Sequence, residues 1–273
     1  MNEKIGSLSE KDIDQIHAVY NSYIDDGQVC QNYGIVAVLD VLGWKNNIKE
    51  QDITTYFSLI NRLRSYLLDT CLRCSSNGEK PNVRISTLSD TIVILIDGNS
   101  PYCEINIFNH IACFITNTLK KGFMFRGAIS RGLYYTNSLD NSFVGEPYYE
   151  AAYYAEKTEW AGIIITDSLA EALLVNNSLE QLEQLNIIEY KNIPYKQNIK
   201  PTKNNLVLVP NQEVWYDIKT NEKNVFDFIS IYEKLMEGES LKLENTRAFY
   251  NFLNSKNFYH TTSTNPKSPS SNQ

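Results

Sequence analysis

The sequence predicts an α+β fold, a ferredoxin-like split βαβ unit built as an α/β sandwich, with an N-terminal helix before it and a C-terminal helical appendage after it. Three observations predict it. Short apolar runs of strand composition lie at 34–43, 83–88, 91–96 and 123–130. Stripes at helical spacing lie between the first and second of these runs and between the third and fourth, so the order is β-α-β-β-α-β. The two middle runs are separated by Ser89 and Asp90 alone, which dictates a tight antiparallel hairpin.

Each element follows from its residues. Ser9 to Asp12 reads as a capping box ahead of Ile13, Ile16, Tyr20 and Tyr23, a helix running to Gly27. GIVAVLDVLG (34–43) is a continuous apolar run, as in a strand buried on both faces, interrupted by Asp40. Asp52 caps a stripe through Ile53, Phe57, Ile60, Leu63, Leu67 and Cys71. VRISTL and TIVILI form the hairpin. Phe108, Ile111, Ile115 and Leu119 form a second helix ending at Gly122, and FMFRGAIS (123–130) is the fourth strand. Beyond it the sequence predicts a helix over 147–157, a strand GIIIT (162–166), a helix starting at Asp167, and LVLV (206–209) as an edge strand. Two further helical patterns follow, one through Val225, Phe228, Ile229, Tyr232 and Leu235 and one through Phe249, Phe252 and Leu253. The last thirteen residues hold no large apolar side chain, which predicts a disordered tail.

Composition excludes several classes of function. The 273 residues carry 25 basic and 32 acidic side chains, a net charge of −7, and no stretch is dominated by Lys and Arg, so a non-specific nucleic-acid grip is disfavoured. No apolar run approaches the roughly 18 residues of a membrane span, and MNEKIGSLSE lacks the apolar core of a secretory signal. A cytoplasmic protein is the expectation. Five scattered cysteines do not read as a disulfide framework, and Cys71 and Cys74, with no second ligand pair nearby, read as core rather than zinc. Three dispersed histidines give a His-centred nucleophilic site little to stand on.

The chemistry therefore rests on carboxylates. Asp40 ends a buried strand and Asp90 sits in the hairpin turn, and a split βαβ sheet lays that strand beside that hairpin. Two converging carboxylates call for a hard divalent ion; equally, Asp40 caps a strand end and Asp90 is a good turn residue. Gly43 lets backbone approach a phosphate, or serves a turn needing positive φ.

VAVLDVLGW followed by ISTLSDTIVILI resembles the paired metal-binding strands of class III nucleotide cyclases. FRGAIS-x-G with FVGEPYYEAAYYAEK resembles the later half of that catalytic domain, in the form closest to the pyrimidine (uridylate or cytidylate) cyclases of Pycsar anti-phage systems. The resemblance covers about residues 34–166. It implies a fold of the class III cyclase type, and with the flanking patterns read above the domain plan is an N-terminal helix (1–29), a catalytic domain (30–210), a C-terminal helical extension (211–260) and a tail (261–273). It also implies two Mn²⁺ or Mg²⁺ ions per site on Asp40, Asp90 and the Val41 carbonyl, and a triphosphate on the backbone of Leu42, Gly43 and Trp44. Arg126 or Arg131 would supply positive charge at the α-phosphate or the base edge.

The departures bear on substrate. Where purine cyclases place base-selecting residues this chain has Ser86 and Ser142, and where they place a transition-state Asn and Arg it has Tyr149 and Tyr153. A pyrimidine is implied, with UTP ahead of CTP. The expected protein is a homodimer with active sites at its interface, catalytic residues Asp40, Asp90 and Arg126, and a cyclic UMP or cyclic CMP product read by a separate effector. A class III adenylate cyclase and a catalytically silent nucleotide-binding signalling module are the alternatives.

Overall fold

A computed structural model of the chain describes residues 29–44, 53–74, 83–97, 101–137, 142–211 and 240–256. The expected helix before Gly27, the pattern from Val225 to Leu235 and the tail from 261 onward lie outside the described residues.

The first strand, β1 (Val29–Val41), has two regimes. Its first five residues alternate in exposure, and from Gly34 to Leu39 every residue is buried. The second regime is the continuous apolar run expected of a strand covered on both faces. Helix α1 (Ile53–Cys74) follows, then β2 (Val83–Leu88) and β3 (Thr91–Asp97), helix α2 (Pro101–Leu119) and β4 (Phe125–Asn137). The hairpin turn is the two residues expected, with Ser89 in the left-handed region at φ 56. Strand β4 continues seven residues past Ser130, because Leu133 to Thr136 alternates exposed and buried, the period of a half-covered ribbon.

The four strands lie in the order β2-β3-β1-β4, every neighbouring pair antiparallel, with β1 between the hairpin and β4. This is the split βαβ arrangement, and the fold class read from the sequence is what the structure has. The sheet then grows. Strand β5 (Phe143–Gly145) pairs with the far end of β4, helix α3 (Glu146–Glu156) crosses over, and β6 (Ile163–Ile165) adds parallel to β4. After helices α4 (Asp167–Asn176) and α5 (Leu179–Gln184) come β7 (Ile187–Glu189) and β8 (Leu206–Leu208), which complete eight strands. The edge position expected for LVLV is corrected here. β8 is interior, hydrogen-bonded to β6 on one side and to β7 on the other, because the three-residue strand IIE takes the edge.

Helices cover both faces. Leu39, Ile92, Ile94 and Ile129 pack against Tyr56, Ile60 and Leu63 of α1, Phe108 and Ile111 of α2, and Leu169 of α4. On the other face Val36, Val38, Val93 and Ala128 meet Ala151 and Ala155 of α3 and the helix α6 (Ser240–Ser255). Each fully buried aliphatic or Phe side chain contributes roughly 1.5–3 kcal/mol.

Helix α6 is anchored through aromatics. Phe249 meets the fully buried Trp160 edge-on at 4.6 Å, and Trp160 stacks on Tyr190 at 5.4 Å. Polar bonds fix the same loop: the Ala161 N–H donates to Thr246 Oγ1 at 2.8 Å, and Asn245 Nδ2 donates to the Glu159 carbonyl at 2.9 Å. The segment 158–161 is thereby tied to α6, and its Thr158 carbonyl reaches the candidate site.

Candidate functional site

Strand register assembles the first group of residues. Asp40 lies opposite Thr91 of β3 and opposite Arg126 of β4, so the three side chains stand in a row across the end of the sheet. Thr91 Oγ1 donates to Asp40 Oδ1 at 2.6 Å, and Arg126 Nη2 donates to Asp40 Oδ2 at 3.1 Å. Arg126 Nη1 donates to the Thr158 carbonyl at 3.2 Å, while its Nε is buried with no partner among the described residues. The ion pair is half-sheltered, with side-chain exposures of 13% for Arg126 and 23% for Asp40. Gly127 makes the arrangement possible, since a Cβ there would run into the Val38 carbonyl oxygen and push β4 away from β1.

Asp90 is brought alongside. The Val41 N–H donates to the Asp90 carbonyl at 2.9 Å, so the hairpin turn is stitched to the residue after Asp40. Near Asp90 lies the phenol of Tyr56, buried with its hydroxyl unpartnered among the described residues; burial, with the Asp90 charge adding, pushes its pKa up. Tyr56 also packs on Trp44, with ring centroids 5.2 Å apart. Gly43 adopts φ 68, so the glycine is required by the turn it makes. The Leu42 N–H donates to the Met124 carbonyl at 2.9 Å and is therefore committed to the protein backbone.

A second group gathers elsewhere. Arg131, Tyr149 and Tyr153 line one cleft of about 460 Å³ together with Gly132, Glu146, Glu150 and Ser168. Positions 146, 149, 150 and 153 share one face of α3, which is why they converge. The rings of Tyr149 and Tyr153 stack at 6.5 Å and 26°. Arg131 also extends over the Tyr33 ring at 5.3 Å. Asp40, Asp90 and Arg126 do not line this cleft. Arg131 is five residues along β4 from Arg126, about 17 Å at strand spacing, so one protomer holds the two groups apart.

Ser86, on β2, and Ser142, whose carbonyl accepts from the Asn137 N–H at 2.9 Å, also lie outside the cleft. Lys157 pairs with Glu156 at 2.8 Å, and Lys45 falls outside the described residues. Sequence reasoning missed Thr91, Thr158, Tyr56 and the hydroxyl partners of Glu150. Thr91 alone had a signal, because it opens β3 directly opposite Asp40.

Asp40, Asp90 and the Val41 carbonyl are hard oxygen donors of the kind Mg²⁺ and Mn²⁺ take. The Tyr56 hydroxyl, unpartnered among the described residues, marks polar capacity left over beside Asp90. The set fits such an ion. No cluster of three or more His, Cys, Asp or Glu occurs among the described residues, so further coordination positions would fall to backbone carbonyl, water and substrate oxygen.

No family model matches the chain, and no curated protein matches it. Among solved structures it is similar to the adenylyl cyclase CyaB from P. aeruginosa, with a TM-score of 0.45 and 12% identity over 67% of this chain and 96% of that one. It is similar to a bacterial light-regulated adenylyl cyclase (0.39, 12% identity, 68% of this chain and 62% of that one) and to the guanylyl cyclase Cya2 (0.37, 11% identity, 66% and 90%).

Proposed function

We propose that this chain is a pyrimidine nucleotide cyclase, converting UTP or CTP to the cyclic 3′,5′-monophosphate and pyrophosphate as a homodimer. The observation that carries the reading is the row Thr91–Asp40–Arg126 with the Asp90 turn bonded to its flank. It supports the pairing of carboxylates for which the sequence motifs were singled out.

Asp40, Asp90 and the Val41 carbonyl would hold Mg²⁺ or Mn²⁺, two ions per site, which would supply positive charge at the triphosphate and at the ribose 3′-hydroxyl. The residues of the chain do the rest. Thr91 and Arg126 fix the orientation of the Asp40 carboxylate. Arg126 adds a half-buried positive charge beside the position of the α-phosphate, strengthened by low exposure. The turn at Gly43 brings the backbone N–H groups of Gly43 and Trp44 within reach of phosphate oxygens, while Leu42, its N–H spent on Met124, shapes the turn. Arg131, Tyr149 and Tyr153 hold the nucleoside in the cleft of the other protomer.

The second copy is supported by two features. The two residue groups are separated within one chain, and an exposed apolar row runs along the protruding ribbon, where Tyr33 pairs with Leu133 and Tyr135 with Val144. No helix among the described residues is long and apolar enough to cross a membrane. A cytoplasmic enzyme, making a signal for a separate anti-phage effector, completes the proposal.

The test is incubation of purified protein with labelled UTP or CTP and Mn²⁺. Cyclic monophosphate from either supports the reading. Tight nucleotide binding without product, in both metals and with phage components added, overturns it in favour of a silent binding module.

A further inference from the structure

We propose that the cleft between α3 and α4 reads a base carrying an exocyclic amine, accepted by Glu150, so that the pyrimidine is cytosine. This rests on the cyclase reading above and reverses the preference for UTP.

The bonds at Glu150 all converge on one oxygen. Oε2 accepts from Ser130 Oγ at 2.6 Å, from Thr166 Oγ1 at 3.0 Å and from Ser168 Oγ at 2.6 Å. Ser130 and Thr166 are fully buried. An ionised carboxylate only accepts and each hydroxyl has one proton; with Ser168 Oγ also 3.1 Å from Ser130 Oγ and 3.0 Å from Thr166 Oγ1, the three protons are spent inside this cluster. Ser168 Oγ additionally accepts the Arg131 N–H at 3.4 Å. At the floor of the cleft Glu150 and Ser168 therefore present acceptors, while donors stand on its walls, at the Arg131 guanidinium and the tyrosine hydroxyls. Three hydrogen bonds fix the carboxylate in place.

The rest of the cleft suits a nucleoside rather than a phosphate tail. Glu146 and Glu150 outnumber Arg131, and the stacked rings of Tyr149 and Tyr153 offer a planar ring an apolar face. Against the Glu150 carboxylate, the exocyclic amine of cytosine gives N–H groups to an acceptor. Uracil carries a carbonyl at the same position, which would set one acceptor against another at Glu150.

The experiment compares kcat/KM for CTP and UTP in the wild type and in Glu150→Gln, whose amide can donate as well as accept. The expected wild-type preference is for CTP by about tenfold or more, and Glu150→Gln narrows it by about tenfold, the size of one lost charged hydrogen bond. Glu150→Asp, which keeps an acceptor-only carboxylate, retains the CTP preference; circular dichroism verifies folding of both variants. A wild-type preference for UTP, or an unchanged ratio in Glu150→Gln, overturns the inference and leaves the cyclase reading intact. Should neither nucleotide be turned over, the cyclase reading fails, and calorimetry of CTP against UTP binding still decides the base: equal or tighter UTP binding overturns the inference.

Discussion

Asp40 and Arg126 face each other across the β1–β4 register and share a 3.1 Å hydrogen-bonded ion pair at the end of the sheet, with Thr91 holding the other carboxylate oxygen at 2.6 Å. Removing the guanidinium leaves Asp40 half-sheltered with one donor and the Thr158 carbonyl without its Arg126 bond. Arg126→Ala is expected to cost about 1–3 kcal/mol in urea denaturation. Because a cation and the guanidinium compete for the same oxygen, Mn²⁺ should raise the Tm of Arg126→Ala more than that of the wild type. Equal shifts would show that no ion reaches Asp40.

Asp40 and Asp90 are expected to act together. Asp40→Asn and Asp90→Asn should each lower cyclic nucleotide formation at least about a hundredfold, since each removes charge that holds the ions. Titration of Mn²⁺ followed by electron paramagnetic resonance gives an independent readout, with binding weakened in both variants. Wild-type Mn²⁺ affinity in either one contradicts the assignment.

A site shared between protomers makes a complementation prediction. Asp40→Ala lacks the carboxylate half and Tyr153→Ala lacks part of the cleft half, so each alone is inactive. An equimolar mixture re-equilibrated into heterodimers should regain about a quarter of wild-type activity, because half of the dimers then hold one intact site of two. The double variant Leu133→Asp/Val144→Asp, which charges the exposed row, should sediment as a monomer and lose turnover.

The pH dependence of stability has a definite sign at both ends. Burial pushes the Tyr154 phenol up to about 12 from 10.0 and raises Tyr56, Tyr190, Tyr195 and Tyr250 as well. The native state keeps protons that the unfolded chain loses, so stability is full below pH 10 and falls as pH rises above it. Tyr154 alone contributes a slope of about 1.4 kcal/mol per pH unit between 10 and 12. Burial lowers the pKa of His110, against the opposing pull of Asp69, so the unfolded state takes up that proton first and stability falls as pH drops below about 6.5. Denaturant midpoints measured from pH 5 to 11.5 check both arms.

The split βαβ core was legible because its signals are local: a two-residue turn at Ser89 and Asp90, a doubly buried run ending in Asp40, and two helical stripes. The same pattern made it readable that the strand carrying Asp40 lies beside the hairpin carrying Asp90, since β1 has only one place beside it. What escaped was set by partners rather than by sequence neighbours. The strand IIE is too short to carry a period, so β8 was read as the edge. The bond from the Leu42 N–H to Met124 depends on where two loops meet. The Glu150 cage joins positions 130, 150, 166 and 168 from β4, α3 and the start of α4, and no spacing along the chain announces it.

The most direct measurement offers the protein an equimolar mixture of ATP, GTP, CTP and UTP with Mn²⁺ and identifies products by mass spectrometry. The account predicts a cyclic pyrimidine monophosphate and pyrophosphate, both absent with Asp40→Ala. A cyclic purine as the main product, or no cyclic product from any of the four, would contradict it.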